Sequence, residues 1–378
     1  MTSEPAAATN HPTGPERTGS DPETASDAET VRAAADPAVV GPWLAEALGD
    51  PRWSSSRVGR IGAGRSNLTF RVDSAAGSVV LRRPPLGAVA ASAHDMGREQ
   101  RALRALEGTA VPVPAVLASA DASGPLGADC YVMELVDGVV AVNRLPDGFA
   151  ERPEQRREVA HGLLDVLAQL HSLDPAAVGL ADFGKPDGFL GRQLRTWSRQ
   201  LETWRDGQDW PSLTALAGAL GERLPSSGPA GIVHGDYRID NVVLDRSQPG
   251  RVLAVLDWEM ATLGDPLADL GLMMVTWCQT EEHDEAWQAA RVLPTPTGAA
   301  GFPTRAEIAA RYAERSGRSV DDLPWYIAFG CFKMAVVLVG IGSRVRAGAA
   351  PADTAAGLEH GIKPLAELGD HVLRTGRY

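Results

Sequence analysis

The sequence predicts an α+β protein of two lobes: a small antiparallel sheet with one helix, then a larger, mainly helical lobe. Short strand-like pieces separated by Gly and Pro turns occupy much of residues 58–136, with one helical stretch among them. After Gly138 the apolar residues recur mostly at helical spacing. A chain of 378 residues is also too long for one small core and fits two lobes or two domains.

Residues 1–36 are rich in Ala, Pro, Thr, Glu and Asp and nearly lack large apolar side chains, which predicts a disordered acidic tail. The small lobe is expected over 37–137. It opens with a short helix from Val39 to Leu48, followed by strands at Val58–Ile61, Leu68–Val72 and Ser78–Arg82, the last stopped by Pro84-Pro85. A helix is expected over His94–Leu106, and Val116–Ala118 and Cys130–Val136 complete the sheet. In the second lobe, 138–378, Arg156–His171 is amphipathic, Phe189–Trp204 carries Trp197 and Trp204 among polar residues, and Leu213–Leu224 is another helix. Val242–Leu244 and Val252–Leu256 read as a hairpin, with further helices to the C-terminus.

A net charge of −12 and a pI near 5.2 argue against a nucleic-acid-binding surface, which normally shows a basic patch. Cys130, Cys278 and Cys331 have no metal-ligand spacing, and an odd count without a framework suits a reducing cytoplasm. The longest apolar stretch, Ile327–Ile341, is broken by Lys333 and glycines. It reads as a buried helix and not as a span of the ~20 apolar residues that cross a bilayer. A cytoplasmic protein with no membrane partner is expected.

Chemistry concentrates in Ile232-Val233-His234-Gly235-Asp236-Tyr237-Arg238-Ile239-Asp240-Asn241 and in Val255-Leu256-Asp257-Trp258-Glu259. An Asp five residues before an Asn lies in polar loop sequence, and a second Asp closes a short apolar run. One carboxylate to accept a proton, with an amide oxygen and another carboxylate to hold Mg²⁺, is the set that phosphoryl transfer from ATP requires. Alone, Asp236 reads as a loop residue capping backbone N–H groups, Asn241 as a turn former and Asp257 as a strand end.

The whole block resembles the kinase catalytic loop and its later metal-binding Asp. The Gly after His234 and the Trp after Asp257 are similar to the aminoglycoside phosphotransferase and choline kinase side of that superfamily. The run from Asp257 through Gly264-Asp265-Pro266 to Asp269-Leu270 looks like the branch containing the kinase-like domains fused to some acyl-CoA dehydrogenases. The resemblance covers most of the chain after about residue 37 and implies a bilobal protein-kinase-like fold. It makes Asp236 the catalytic base, and Asn241 and Asp257 the Mg²⁺ ligands between the β- and γ-phosphates of ATP. Arg238 takes the place of a catalytic-loop Lys. It either offsets charge on the transferring phosphoryl group or pairs with Asp240. Glu259 either supports the metal shell or the acceptor, His234 braces the loop, and Asp265 and Asp269 are structural, with Asp265 placed to cap the next helix.

The same resemblance implies a nucleotide site in the small lobe. The loop Gly62-Ala63-Gly64-Arg65-Ser66-Asn67 becomes a flap over the phosphates, with Gly62 and Gly64 for close backbone approach and Ser66 and Asn67 as donors. It lacks the Lys-Ser/Thr ending of a P-loop, which excludes a Walker-type NTPase. The matching strand reads Val79-Val80-Leu81-Arg82-Arg83 and has no Lys, so Arg82 is the replacement, with Glu99 as its ion-pair partner and Arg83 next if the register shifts by one. Adenine would bond the backbone of Glu134 and Val136, with Met133 behind the base.

The expected activity is ATP-dependent transfer to a hydroxyl of a small molecule, either a hydroxyacyl or other metabolic compound or an aminoglycoside-like one. The absent Lys leaves a pseudokinase or nucleotide-binding module as the alternative, and a structural partner of a fatty-acid catabolic enzyme as a third reading. A polycationic acceptor would want carboxylates such as Glu281, Glu282, Asp284 and Glu285, a run that otherwise reads as a solvated helix face. A hydroxyacyl acceptor would want arginines and an apolar channel, for which Arg192, Arg195 and Arg199 with Trp197 and Trp204 are candidates unless that helix packs through its Trp residues.

Overall fold

The computed structural model describes residues 25–61, 67–86, 95–226, 228–291, 294–348 and 357–378. The protein has the α+β, two-lobed protein-kinase-like architecture. In the small lobe, β1 (Arg57–Arg60), β2 (Leu68–Ser74), β3 (Gly77–Arg83), β4 (Val116–Ala120) and β5 (Cys130–Glu134) form an antiparallel sheet in the order β1-β2-β3-β5-β4.

Strand side chains alternate between faces, and here both faces are covered. Val79 and Leu81 of β3 join Phe70, Val72 and Val132 beneath two N-terminal helices, α1 (Ala25–Ala34) and α2 (Pro37–Ala47). Val80 turns the other way, with Tyr131 and Met133, against Met96, Leu103 and Leu106 of α3 (Met96–Leu106). Cover on both sides explains why Val79, Val80 and Leu81 are apolar in succession although they point to alternate faces. The alternation also assigns the two arginines: Arg82 shares the α3 face and Arg83 the α1 face.

Residues 25–36 depart from the expected disorder. Val31, Ala34 and Ala35 are buried against the sheet, and Arg83 Nη1 donates to the Ala34 carbonyl at 2.6 Å. These side chains are small, so the segment is poor in hydrophobic signal, yet they fit closely on the sheet. Asp36 then caps α2, accepting from the Ala38 N–H at 2.9 Å, with Pro37 at the first helical position. The expected tail over 1–24 lies outside the described residues.

The large lobe is built from α4 (Pro153–Ser172), α5 (Phe189–Trp204), α6 (Pro211–Glu222), α7 (Leu267–Thr276), α8 (Glu285–Ala289), α9 (Arg305–Ser316), α10 (Leu323–Arg346) and α11 (Ile362–Thr375). Two small strand pairs join them: β6 (Gly231–Val233) with β9 (Thr262–Gly264), and β7 (Val242–Leu244) with β8 (Val252–Val255). By length and composition α10 could cross a membrane, but 78% of its most apolar 18-residue window is buried inside the lobe, as a core helix requires. α7 crosses it at Gly271, where a Cβ would come within 2.5 Å of the Tyr326 backbone. The connection between lobes is fastened by Val139, which exchanges two 2.8 Å backbone hydrogen bonds with Leu244 of β7.

Candidate active site

The two small strand pairs bring the chemical residues together. Pairing of Val233 with Thr262 lays the loop after β6 beside the segment that enters β9. The β7–β8 pairing places Asn241 next to Leu256, whose N–H donates to the Asn241 carbonyl at 2.8 Å. Asp236 and Asn241 of one loop and Asp257 beyond the β7–β8 hairpin therefore share one end of the cleft.

Within the loop, Asn241 Nδ2 donates to the Asp236 carbonyl at 2.8 Å and to its Oδ2 at 3.0 Å. With the amide nitrogen so engaged, the Asn241 oxygen turns away from Asp236. Arg238 lies between two carboxylates, with Nη2 2.9 Å from Asp240 Oδ2 and Nε 3.4 Å from Asp236 Oδ1. The pairing with Asp240, one of the two readings of Arg238, is thus present. Burial pushes the Asp240 carboxyl above its ordinary range, with Arg238 opposing the shift.

The loop is held from behind. Asp269 accepts the backbone N–H groups of His234 and Gly235, both at 2.7 Å, and lies 3.2 Å from His171 Nε2. His171 Nδ1 is 2.7 Å from the Tyr312 hydroxyl. His234 Nε2 donates to the Leu256 carbonyl at 2.9 Å, which leaves Nδ1 to accept the Asp236 N–H at 3.2 Å. His234 therefore braces both halves of the site. Gly235 has φ +87°, and a Cβ there would meet Met260 at 2.7 Å, so the turn requires glycine.

From the small lobe, Arg82 reaches across the cleft. Its Nη1 is 3.2 Å from Glu99 Oε1 on α3 and its Nη2 is 3.1 Å from Asp257 Oδ1. Glu99 is 1% exposed. Burial opposes the Arg82 charge, but Glu99, Tyr131 and Asp257 outweigh it and hold the guanidinium protonated above its ordinary value. Burial likewise pushes the Glu99 carboxyl up, with Arg82 pulling against it. Asp257 adopts the left-handed conformation, φ 64° and ψ 64°, uncommon for a non-glycine residue. Arg83, on the opposite face, clamps α1 and takes no part in the cleft.

Asn67 is buried and its Nδ2 donates to Glu259 Oε2 at 3.1 Å, linking the residue before β2 to the turn after Asp257. Gly62, Gly64 and Ser66 lie outside the described residues. Glu134 and Val136 sit at the connection between lobes. The Glu134 N–H is engaged by the Ala115 carbonyl at 2.9 Å.

The donor set suits a small hard cation. Among the described residues no group of three or more His, Cys, Asp or Glu side chains could hold a metal ion, so no all-protein cage is present. One carboxylate and one amide oxygen match Mg²⁺, which keeps waters and takes phosphate oxygens to complete its octahedron.

Beyond Arg238 and Asp240 opens a cavity of about 240 Å³, bounded by Val142, Trp277, Trp287, Met334, Leu365 and Leu368. Its walls are mostly apolar. The acidic run does not line it with free carboxylates: Glu282 pairs with Arg305, and Asp284 caps α8 and pairs with His371 at 3.1 Å. Arg192, Arg195 and Arg199 lie elsewhere. Arg192 donates to the carbonyls of Lys185 and Asp187, and Trp197 is buried in the lobe, so α5 packs through its Trp. The sequence marks Asp269 only as structural and Lys333 only as a break in an apolar stretch. A charge inside an otherwise apolar helix was the available signal for Lys333.

Residues 57–302 match the profile of the phosphotransferase enzyme family. Acyl-CoA dehydrogenase family member 11 of Gallus gallus is 33% identical over 317 residues, covering 82% of this chain and 40% of that protein. The chain spans between about a quarter and two fifths of the length of the first such curated relatives. A crystal structure from Ralstonia eutropha JMP134, described as a candidate aminoglycoside phosphotransferase, superposes with a TM-score of 0.73 at 31% identity, covering 89% of this chain and 97% of that one. A ternary complex of the aminoglycoside phosphotransferase APH(4)-Ia with ADP and hygromycin B superposes with a TM-score of 0.56 at 17% identity, covering 90% and 99%. At that identity the likeness shows the fold alone.

Proposed function

The chain belongs to the phosphotransferase enzyme family, and from that membership we propose that it transfers the γ-phosphate of ATP to a hydroxyl of a small molecule. One observation carries the reading: Arg82, Glu99 and Asp257 meet across the cleft at the same end as Asp236 and Asn241. Asp236 is the acceptor-side base. Its carboxylate is held by Asn241 and faced by Arg238, and it receives the hydroxyl proton late in transfer. Arg82 binds phosphate oxygens through its planar fork while Glu99 fixes its direction. Arg238 offsets negative charge near the transferring group. Glu134 and Val136 offer backbone groups to adenine, and Asn67 stands on the phosphate side of the cleft. Asn241 and Asp257 would hold Mg²⁺, which when bound neutralises charge between the β- and γ-phosphates.

The intact pairing of Arg82 supports an active enzyme over a nucleotide-binding module. The apolar cavity beside Asp240 favours a hydroxyl on an apolar or metabolic frame over a polycation. A screen of hydroxyl compounds by class, with ATP and Mg²⁺, tests this. Phosphorylation of an apolar hydroxyl compound that Asp236→Asn abolishes supports the reading. Efficient phosphorylation of aminoglycosides alone overturns its acceptor half, and no transfer to any class overturns the whole.

A further inference from the structure

Lys333 is the one charge between Leu323 and Ser343 in α10. It is half-buried, and desolvation lowers its pKa from the ordinary value. Its ammonium donates to the Gly235 carbonyl and lies 5.3 Å from the centre of the Trp197 ring. A Met would pack in α10 without the cost of desolvating a charge, at the loss of one hydrogen bond to the Gly235 carbonyl.

The position of that hydrogen bond matters. Gly235 O and the Asp236 N–H are the two ends of one peptide plane. Lys333 holds the first and His234 Nδ1 holds the second at 3.2 Å. A planar peptide fixed at both ends sets the direction in which the next Cα–Cβ bond leaves the backbone. That bond carries the Asp236 carboxylate. The left-handed Gly235 turns the carbonyl toward α10. We propose that Lys333 is a positioning residue for Asp236, acting through the Gly235–Asp236 peptide. The inference rests on the reading of Asp236 as the acceptor-side base.

The test compares Lys333→Met with the parent chain and with Asp236→Asn, using Mg²⁺-dependent ATP hydrolysis with water as acceptor, ATP affinity by calorimetry, melting temperature, and deuterium exchange of residues 234–241. For Lys333→Met, the expected result is an unchanged or higher melting temperature, ATP affinity within about twofold of the parent, and kcat lower by roughly ten- to a hundredfold, the scale set by small misplacements. Exchange in the loop should be faster. Parent-like kcat and parent-like exchange overturn the proposal, as does a fall in melting temperature with kcat per folded molecule intact. If Asp236→Asn keeps the parent rate, or the parent shows no turnover, the functional reading fails; exchange of the loop still decides whether Lys333 holds the peptide.

Discussion

Arg82 and Glu99 make a buried ion pair at the edge of the cleft between the lobes, and that burial changes how a substitution there will read. Arg82→Ala should weaken ATP binding, but it also strands a carboxylate that is 1% exposed. Removing one partner of such a pair costs roughly 3–5 kcal/mol of stability, whereas replacing both by apolar groups costs far less. Arg82→Met with Glu99→Met should therefore recover most of the stability lost in Arg82→Ala and none of the ATP affinity. Urea denaturation and calorimetry separate the two. Asp236→Asn should behave oppositely, binding ATP like the parent and losing about 10²- to 10⁴-fold in kcat. Parent-rate transfer would remove Asp236 from the chemistry. Most candidates at this scale were legible because residues 232–241 and 255–259 are contiguous and chemically unusual. Asp269 and Lys333 are not legible in these contacts, because each meets backbone atoms between 34 and 98 positions away. Such contacts leave no local pattern.

Elements were read well where burial imposes a period. β3, α3, α4 and the β7–β8 hairpin fall close to their expected positions because each presents a regular apolar face. α1 escaped because its buried side chains are Val31, Ala34 and Ala35, which carry little hydrophobic signal although the sheet fits them closely. Truncation makes the distinction measurable. Removing residues 1–36 takes away these contacts and the Ala34 carbonyl that receives Arg83. It should destabilise the chain by about 2–4 kcal/mol, the scale of burying one or two apolar side chains. Melting temperature reports the change, and a parent-like value would show that α1 contributes nothing to the small lobe.

Across the whole molecule, the loop of residues 234–241 is tied to the large-lobe core through Asp269 and His171, and this tie responds to pH. Burial holds the His171 pKa below its ordinary 6.5, with Asp269 opposing the shift. The unfolded chain therefore takes up a proton first as pH falls. The stability that neutral His171 represents is present above about pH 6.5 and is lost progressively below it. Asp269 is shifted down from 3.8 because His171 and His234 outweigh the effect of burial, so its contribution fades only in more acidic solution. His171→Gln should flatten the slope of stability between pH 6.5 and 4 and also lessen the loss in more acidic solution, because His171 itself helps to hold Asp269 down. Denaturation midpoints across that range check it, and an unchanged slope would assign the pH response elsewhere.

α3 has one further consequence. Arg98 on this helix donates to the carbonyls of Phe183 and Ala261 and stacks 4.0 Å from the Phe183 ring, and Arg101 pairs with Asp182. All these partners belong to the large lobe, while α3 meets the sheet through apolar contacts and the Arg82–Glu99 pair. In mechanical terms α3 is bolted to the chassis, and the sheet is the part expected to slide. Structures with and without nucleotide should show α3 superposing with the large lobe while the strands pivot over it. Cleft opening would then be geared to rupture of the two ion pairs that Arg82 makes, with Glu99 and with Asp257, so that the proposed grip on phosphate and the gap between the lobes are read out by the same joint.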